Sequence, residues 1–361
     1  MFNAFRRPLA LALSATLAFT ALTACASWDS PSGSTNAELI EEIQSEAGST
    51  DPRTFTGMSL VEDIGDVVPV ADNPTPNLPV SLTDADGNDV TITDVSRILP
   101  LDLYGTYSKT IAGLGLVDNI VGRTVSSTEP ALADAEVVTT GGHNLNAEAI
   151  LNLHPSVVII DHSIGPREVI EQIRAAGIPT VTMSPNRSID SIGEDIKDIA
   201  AVVGLPEEGE KLAERSVAEV EEARTVVQDL APDDPLKMVF LYARGTGGVF
   251  FILGDAYGGR DLIEGLGGVD MAAEKGIMDL APANAEALAE LNPDVFVMMS
   301  EGLVSTGGIE GLMQRPGIAQ TTAGQHQRVL ALPDGQSLAF GAQTGELLLR
   351  ASRELYLQGG E

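Results

Sequence analysis

Two side chains two residues apart on an extended chain project to the same side. Tyr242 and Arg244 stand in that relation in the run Leu236-Lys-Met-Val-Phe-Leu-Tyr242-Ala-Arg244-Gly245-Thr-Gly-Gly248. A tyrosine phenolate is a hard anionic oxygen ligand suited to ferric iron, the iron of haem included. A free phenol holds its proton up to a pKa of about 10, so a neighbouring cation or the metal itself must favour the anion. Arg244 is placed to be that cation, and the glycines after it let the backbone turn and leave room for a large flat ligand. A second reading stays open, in which Tyr242 packs in a core and Arg244 makes a surface ion pair.

A matching ligand is offered by Thr139-Thr-Gly141-Gly142-His143, where two glycines free the backbone just before an imidazole. Neutral imidazole is a good sixth ligand for haem iron. His162, after an apolar run ending at Asp161, is the alternative imidazole, and Tyr104 is the second-choice phenol. Met298 and Met299 end another apolar run and could line an apolar pocket. His154 and His326 read as structural or exposed. Four scattered histidines without a paired motif argue against a dedicated metal-ion site. Nor does the chain carry a nucleophile elbow, phosphate loop or metalloprotease helix, so an enzyme is not expected.

The elements that must hold these residues read as alternating strands and helices. Val80 onward is a hairpin about an Asp-Gly turn. Strands follow at Arg97 to Leu101, Ser156 to Asp161 and Pro179 to Met183. Helices are expected near Tyr104 to Leu114, Asn146 to Leu153, Pro166 to Ala176 and Ile189 to Val203. That alternation predicts an α/β fold with mostly parallel, Rossmann-like sheets. The chain also repeats itself: Asn146-Ala-Glu-Ala-Ile-Leu-Asn-Leu-His-Pro returns as Asn284-Ala-Glu-Ala-Leu-Ala-Glu-Leu-Asn-Pro, and Gly113-Leu-Gly-Leu-Val-Asp118 as Gly265-Leu-Gly-Gly-Val-Asp270. Two blocks in the same order predict two similar lobes. Between them, Pro206 to Leu230 is one unbroken run with apolar residues at helical spacing, a long helix that would bridge the lobes. Ligands of open parallel sheets sit beyond the carboxyl ends of the strands, so the cleft is expected between the lobes there.

Arg6 and Arg7 followed by an apolar run from Leu9 to Leu22 give an export signal, closing on Leu22-Thr-Ala-Cys25. Cys25 is the only cysteine, which excludes a disulfide and a cysteine zinc site. Loss of residues 1–24 removes two arginines and no acid, deepening a formal net charge already at −31. Nucleic acid is thereby disfavoured as a partner. Residues 25–79, poor in apolar clusters and rich in Ser, Thr, Gly, Asp, Glu and Pro, read as an acylated cysteine and flexible tether, with a short helix at Glu38 to Ala47. The remaining boundaries are an amino-terminal lobe at 80–205, the linking helix at 206–231 and a carboxyl-terminal lobe at 232–361.

Two lobes joined by one helix behind a lipobox resemble the helix-linked substrate-binding proteins that serve ABC importers of haem, ferric siderophores and cobalamin. The Gly-Gly-His143 and Tyr242-Ala-Arg244-Gly constellation is similar to that of the haem-uptake binding lipoproteins of corynebacteria. The resemblance implies that His143 and Tyr242 ligate the iron of ferric haem b from opposite faces, as transported ligand. It implies that Arg244 hydrogen-bonds the tyrosine, and that a stiff linking helix keeps the cleft largely preformed. It further implies lipid anchoring through Cys25 at the outer face of the cell membrane and delivery to a haem ABC permease and its ATPase, with upstream haem-binding surface proteins as donors. Docking in that class uses one acid from each lobe, for which Glu168 and Glu264 are the candidates, with Asp261 in reserve. A siderophore or cobalamin receptor of the same fold is the alternative cargo reading.

Overall fold

The computed structural model describes residues 36–48 and 50–358. Cys25 and the export signal lie outside them. In the amino-terminal lobe, strands Ile98–Leu101, Val157–Ile160 and Thr180–Thr182 form a parallel sheet with Val157–Ile160 at its centre. All of these strand residues are buried, as continuous apolar strands covered on both faces must be. Helices Thr106–Gly113, Ala147–Asn152, Arg167–Ala175 and Ile192–Val202 surround it. The hairpin Val80–Thr83 with Asp89–Ile92 stands apart as its own two-stranded sheet.

The carboxyl-terminal lobe is built on a seven-stranded sheet. Its parallel core runs Val329–Leu332, Val295–Met299, Lys237–Arg244. Lys237–Arg244 then folds back antiparallel as Val249–Ile252, which pairs with Ala281–Pro282. Pro206–Leu230 is a single 25-residue helix between the lobes. It opens with proline at its first position, where no backbone N–H is needed. It packs against Ile192–Val202 on one side and Thr344–Tyr356 on the other.

The internal repeat is structural. Asn146 and Asn284 each extend from the backbone and accept a hydrogen bond from the N–H three residues on, Ala149 and Ala287, to cap matching helices. The second block ends a helix in both lobes, at Gly113 and Gly265. It is followed two residues later by a glycine in the left-handed region, Gly115 at φ 91° and Gly267 at φ 72°.

From Asn36 on, the segment read as a flexible tether is different from that expectation. Helix Ala37–Glu46 lies on Thr344–Tyr356, with Ile43 fully buried. Met58–Leu60 then pairs in parallel with Val329–Leu332 as an edge strand of the carboxyl-terminal sheet. From there the chain crosses to the other lobe: Arg215 of the linking helix donates to the Val68 carbonyl at 2.7 Å, and the Val70 N–H donates to Gly113 at 2.8 Å. Composition misjudged it because the packing rests on a few isolated apolar residues, Ile43, Val61 and Val67, each seated in a groove supplied by distant sequence.

Candidate functional site

Tyr242 and Arg244 occupy the carboxyl end of strand Lys237–Arg244, on one face, as their spacing requires. The Arg244 guanidinium carbon stands 4.9 Å from the Tyr242 ring centroid, within cation–π range. Arg244 also pairs with Asp334 at 2.7 Å, so the ion pair of the second reading is present alongside the stacked ring. Beyond it the hairpin turns through Gly245, Gly247 and Gly248, where an added Cβ would meet nothing within 4 Å. The turn is braced from below: Arg315 donates to the Gly245 carbonyl at 2.7 Å and stacks on Phe250 at 4.3 Å. Open space above a held backbone suits a broad flat ligand.

His143 sits at the tip of a second hairpin, Thr139–Thr140 with Asn144–Leu145, exposed to solvent. Gly141 and Gly142 take φ of 60° and 90°, a turn that favours glycine at both places. The hairpin is tied to the carboxyl end of Val157–Ile160, because Gly165 donates to the His143 carbonyl and accepts from Leu145. Among the described residues the His143 ring has no hydrogen-bond partner, so it is available to a ligand. The segments carrying His143 and Tyr242 therefore both lie at strand carboxyl ends, one in each lobe.

The alternatives fare differently. His162 is engaged, its Nε2 lying 2.8 Å from Asp86 Oδ1. Tyr104 is stacked under Arg187, whose guanidinium carbon is 4.2 Å from its ring centroid. Burial pushes the Tyr104 phenol up, Arg187 opposes this, and the Asp161 and Asp102 carboxylates add to it. Arg187 itself is committed to Asp161 and lies 3.9 Å from Asp102. Burial works against its charge, but those two carboxylates more than compensate and hold its pKa above the ordinary value. Asp161 also accepts from the Tyr107 hydroxyl at 2.7 Å and from the Ser163 N–H at 2.8 Å. This cluster sets two carboxylates around one guanidinium in the amino-terminal lobe. Its proximity was not legible because its members are spread over 85 residues of sequence, from Asp102 to Arg187.

Met298 is fully buried beneath the sheet, whereas Met299 is partly buried and touches Arg244, Nη2 to Sδ at 3.4 Å. Only the latter reaches the site. Asp334, which sequence reasoning missed, follows strand Val329–Leu332 in a Pro-Asp-Gly turn. The turn was readable, but the pairing with a residue 90 positions earlier was not.

The two acids proposed to address a transporter lie at opposite ends of their lobes. Glu168 is exposed in the first turn of Arg167–Ala175, just beyond the carboxyl end of Val157–Ile160. Helix Gly259–Gly265 runs the other way. It begins where Gly258 meets Phe340 and ends where Gly267 meets Val227 and Ala231 of the linking-helix terminus. Glu264 is thus turned towards the strand amino ends, and Arg260 holds it at 2.8 Å. Asp261 is half-buried, and burial pushes its carboxyl up although the Ile189 N–H counteracts it. Neighbourhood to a repeated motif does not say which end of a lobe a helix occupies.

Residues 102–335 match the model of a family described as periplasmic binding protein. A solved structure of the heme binding protein HmuT is 90% identical, covers 86% of this chain and 100% of that one, and superposes with a TM-score of 0.85. Further solved structures are of HmuT with an arginine, a tyrosine or a histidine replaced by alanine. The periplasmic heme-binding protein RhuT from Roseiflexus sp. RS-1 is 34% identical over 73% of this chain and 98% of that one, with a TM-score of 0.67. Among curated proteins, the uncharacterized ABC transporter substrate-binding lipoprotein YvrC of Bacillus subtilis (strain 168) is 24% identical over 259 residues, 70% of this chain and 77% of the relative.

Proposed function

The chain belongs to the periplasmic binding protein family, and from that premise we propose that it captures ferric haem between its lobes and hands it to a membrane ABC transporter. It binds and releases cargo, with no chemical conversion. The observation that carries the reading is the strand end bearing Tyr242 under the Arg244 cation, at 4.9 Å, next to a glycine turn with open space above it. A phenolate so supported is a strong ligand for ferric iron. His143, whose ring has no partner among the described residues, would supply the sixth ligand from a glycine hairpin of the other lobe. The three positions replaced in the HmuT variants are spaced as His143, Tyr242 and Arg244 are here, which supports giving these side chains the same cargo.

In this reading Cys25 is acylated after loss of residues 1–24 and holds the protein outside the membrane, and residues 80–205 and 232–361 form the two lobes about the linking helix. Among the described residues no helix is long and apolar enough to cross a membrane. Glu168, at the cleft end of its lobe, is the better placed of the two acids for meeting a permease arginine.

Mixing the purified protein with hemin and recording absorbance tests the assignment. Binding should give a six-coordinate ferric spectrum. Tyr242→Ala should change that spectrum and weaken retention most, with His143→Ala changing it less. Spectra of both variants identical to the unaltered protein would remove these ligands, and binding of a ferric siderophore or cobalamin in place of hemin would reassign the cargo.

A further inference from the structure

Arg244 is useful to Tyr242 only if it stays beside it, and a long guanidinium side chain over a third exposed would otherwise sample many rotamers. Three contacts fix it. Its Nη1 donates to the Ala243 carbonyl at 3.1 Å, Nη2 donates to Asp334 Oδ2 at 2.7 Å, and Nη2 also touches Met299 Sδ at 3.4 Å. Only Asp334 brings charge. The fit is close, since a Cβ on Gly302 would stand 2.5 Å from Nη1. These contacts occupy the far end of the fork, while the guanidinium carbon lies over the Tyr242 ring.

Asp334 is itself held. Its Oδ1 accepts the Glu301 N–H at 2.9 Å, at the start of helix Ser300–Ser305. The next residue, Gly335, lies against the other lobe, where a Cβ would stand 2.1 Å from Thr128 Oγ1 and 2.9 Å from the Ser126 carbonyl oxygen. The turn carrying Asp334 is thus wedged between Arg244 and the amino-terminal lobe.

We propose that Asp334 is a positioning residue of the ligand site: by gripping the Arg244 Nη2 it holds the guanidinium in one place over the Tyr242 ring and so fixes the surroundings of the iron ligand. This rests on the haem reading above. Asp334 touches neither iron nor porphyrin and acts only through Arg244.

The test is a double-mutant cycle on the full protein, read by haem absorbance at one pH and by the rate of haem transfer to an excess of an apo-haem acceptor. Asp334→Asn preserves shape while removing the charge, and Asp334→Ala removes the grip altogether. Each should alter the haem absorbance bands that report tyrosinate ligation and speed release by roughly two- to fivefold, the range for a partly exposed ion pair. In an Arg244→Ala background the same changes should add nothing further, and Asp334→Glu should restore part of the effect. Additive losses in that background would mean Asp334 is merely structural, and spectra and rates unchanged by Asp334→Asn would overturn the proposal outright. If the unaltered protein gives no tyrosinate-ligated haem spectrum, the haem reading fails and this inference falls with it. Unchanged Asp334 variants beside a normal parent spectrum would sink only the inference.

Discussion

A phenol serves ferric iron only after losing its proton, so surroundings decide which tyrosine can be a ligand. Tyr104 has an arginine against its ring as Tyr242 does, yet burial, with help from the Asp161 and Asp102 carboxylates, outweighs Arg187 and raises its pKa. Arg244 stands over the Tyr242 ring with one acid partner, Asp334, among the described residues, and this geometry favours Tyr242 over Tyr104 in the reading proposed above. The same logic gives a stability prediction at Asp270. Its Oδ1 accepts from Ala272 at 2.9 Å, its Oδ2 is buried without a partner, and burial pushes its carboxyl up to about 6. Below the unfolded value of 3.8 both states hold the proton. As pH rises towards 6 the unfolded chain releases its proton first, so folding stability falls across that window. The loss at neutral pH is about 3 kcal/mol. Asp270→Asn should recover most of it and flatten the denaturation midpoint between pH 4 and 6, as urea melts would measure. A variant less stable at pH 7 would mean the carboxylate is favourably held. Asp118, its repeat counterpart, is exposed, so the repeat revealed equivalent backbone but said nothing of burial. Residue types and spacing made Tyr242, Arg244 and His143 legible. Asp334 was not, because a partner 90 residues away has no local signature.

At the level of elements, period and punctuation carried most of the fold. The linking helix runs from Pro206 to Leu230 as its proline-flanked apolar spacing predicts, and the three amino-terminal strands fall within their expected spans. What failed was the averaging of composition over residues 25–79. Averages detect a core of many apolar residues, and this segment uses few, each in a groove built by other parts of the chain. Its helix is held to Thr344–Tyr356 by Ile43 and by Arg353, which pairs with Glu46 and lies 3.7 Å from Glu42. Exposed ion pairs of this kind contribute little, about 0–1 kcal/mol, so the buried isoleucine should dominate. Ile43→Ala is expected to cost about 2–4 kcal/mol, lowering the thermal midpoint by several degrees, whereas Glu46→Gln should change it little. Calorimetry on the two variants decides. An unmoved midpoint for Ile43→Ala would restore the flexible-tether reading for this helix.

For the whole molecule, the decisive feature is how many times the chain passes between lobes. Sequence reasoning found one passage, a helix about 37 Å long at 1.5 Å per residue. The structure adds a second along residues 61–79, which leaves the carboxyl-terminal sheet at Leu60 and is pinned as it goes. Gln343 donates to Gly65 at 3.1 Å, Arg215 to Val68 at 2.7 Å, and the Asn77 N–H to Gly204 at 2.8 Å. Opening a hinge needs large backbone rotations in every segment that crosses it. A helix resists them through its continuous ladder, and the second passage resists them because its carbonyls and N–H groups are already bonded on both sides. The two lobes also touch directly where Thr106 Oγ1 donates to the Ala339 carbonyl. Haem binding should therefore leave the shape almost unchanged, with a radius of gyration by small-angle scattering constant to about 0.5 Å between free and loaded protein, the behaviour of preorganised partners. Rearrangement would be confined to His143 on its glycine turn and to the Arg244 fork. A decrease of several ångströms on loading would mean that the lobes close on the ligand, that neither passage is stiff, and that release requires the transporter to reopen the cleft rather than loosen one iron–oxygen bond.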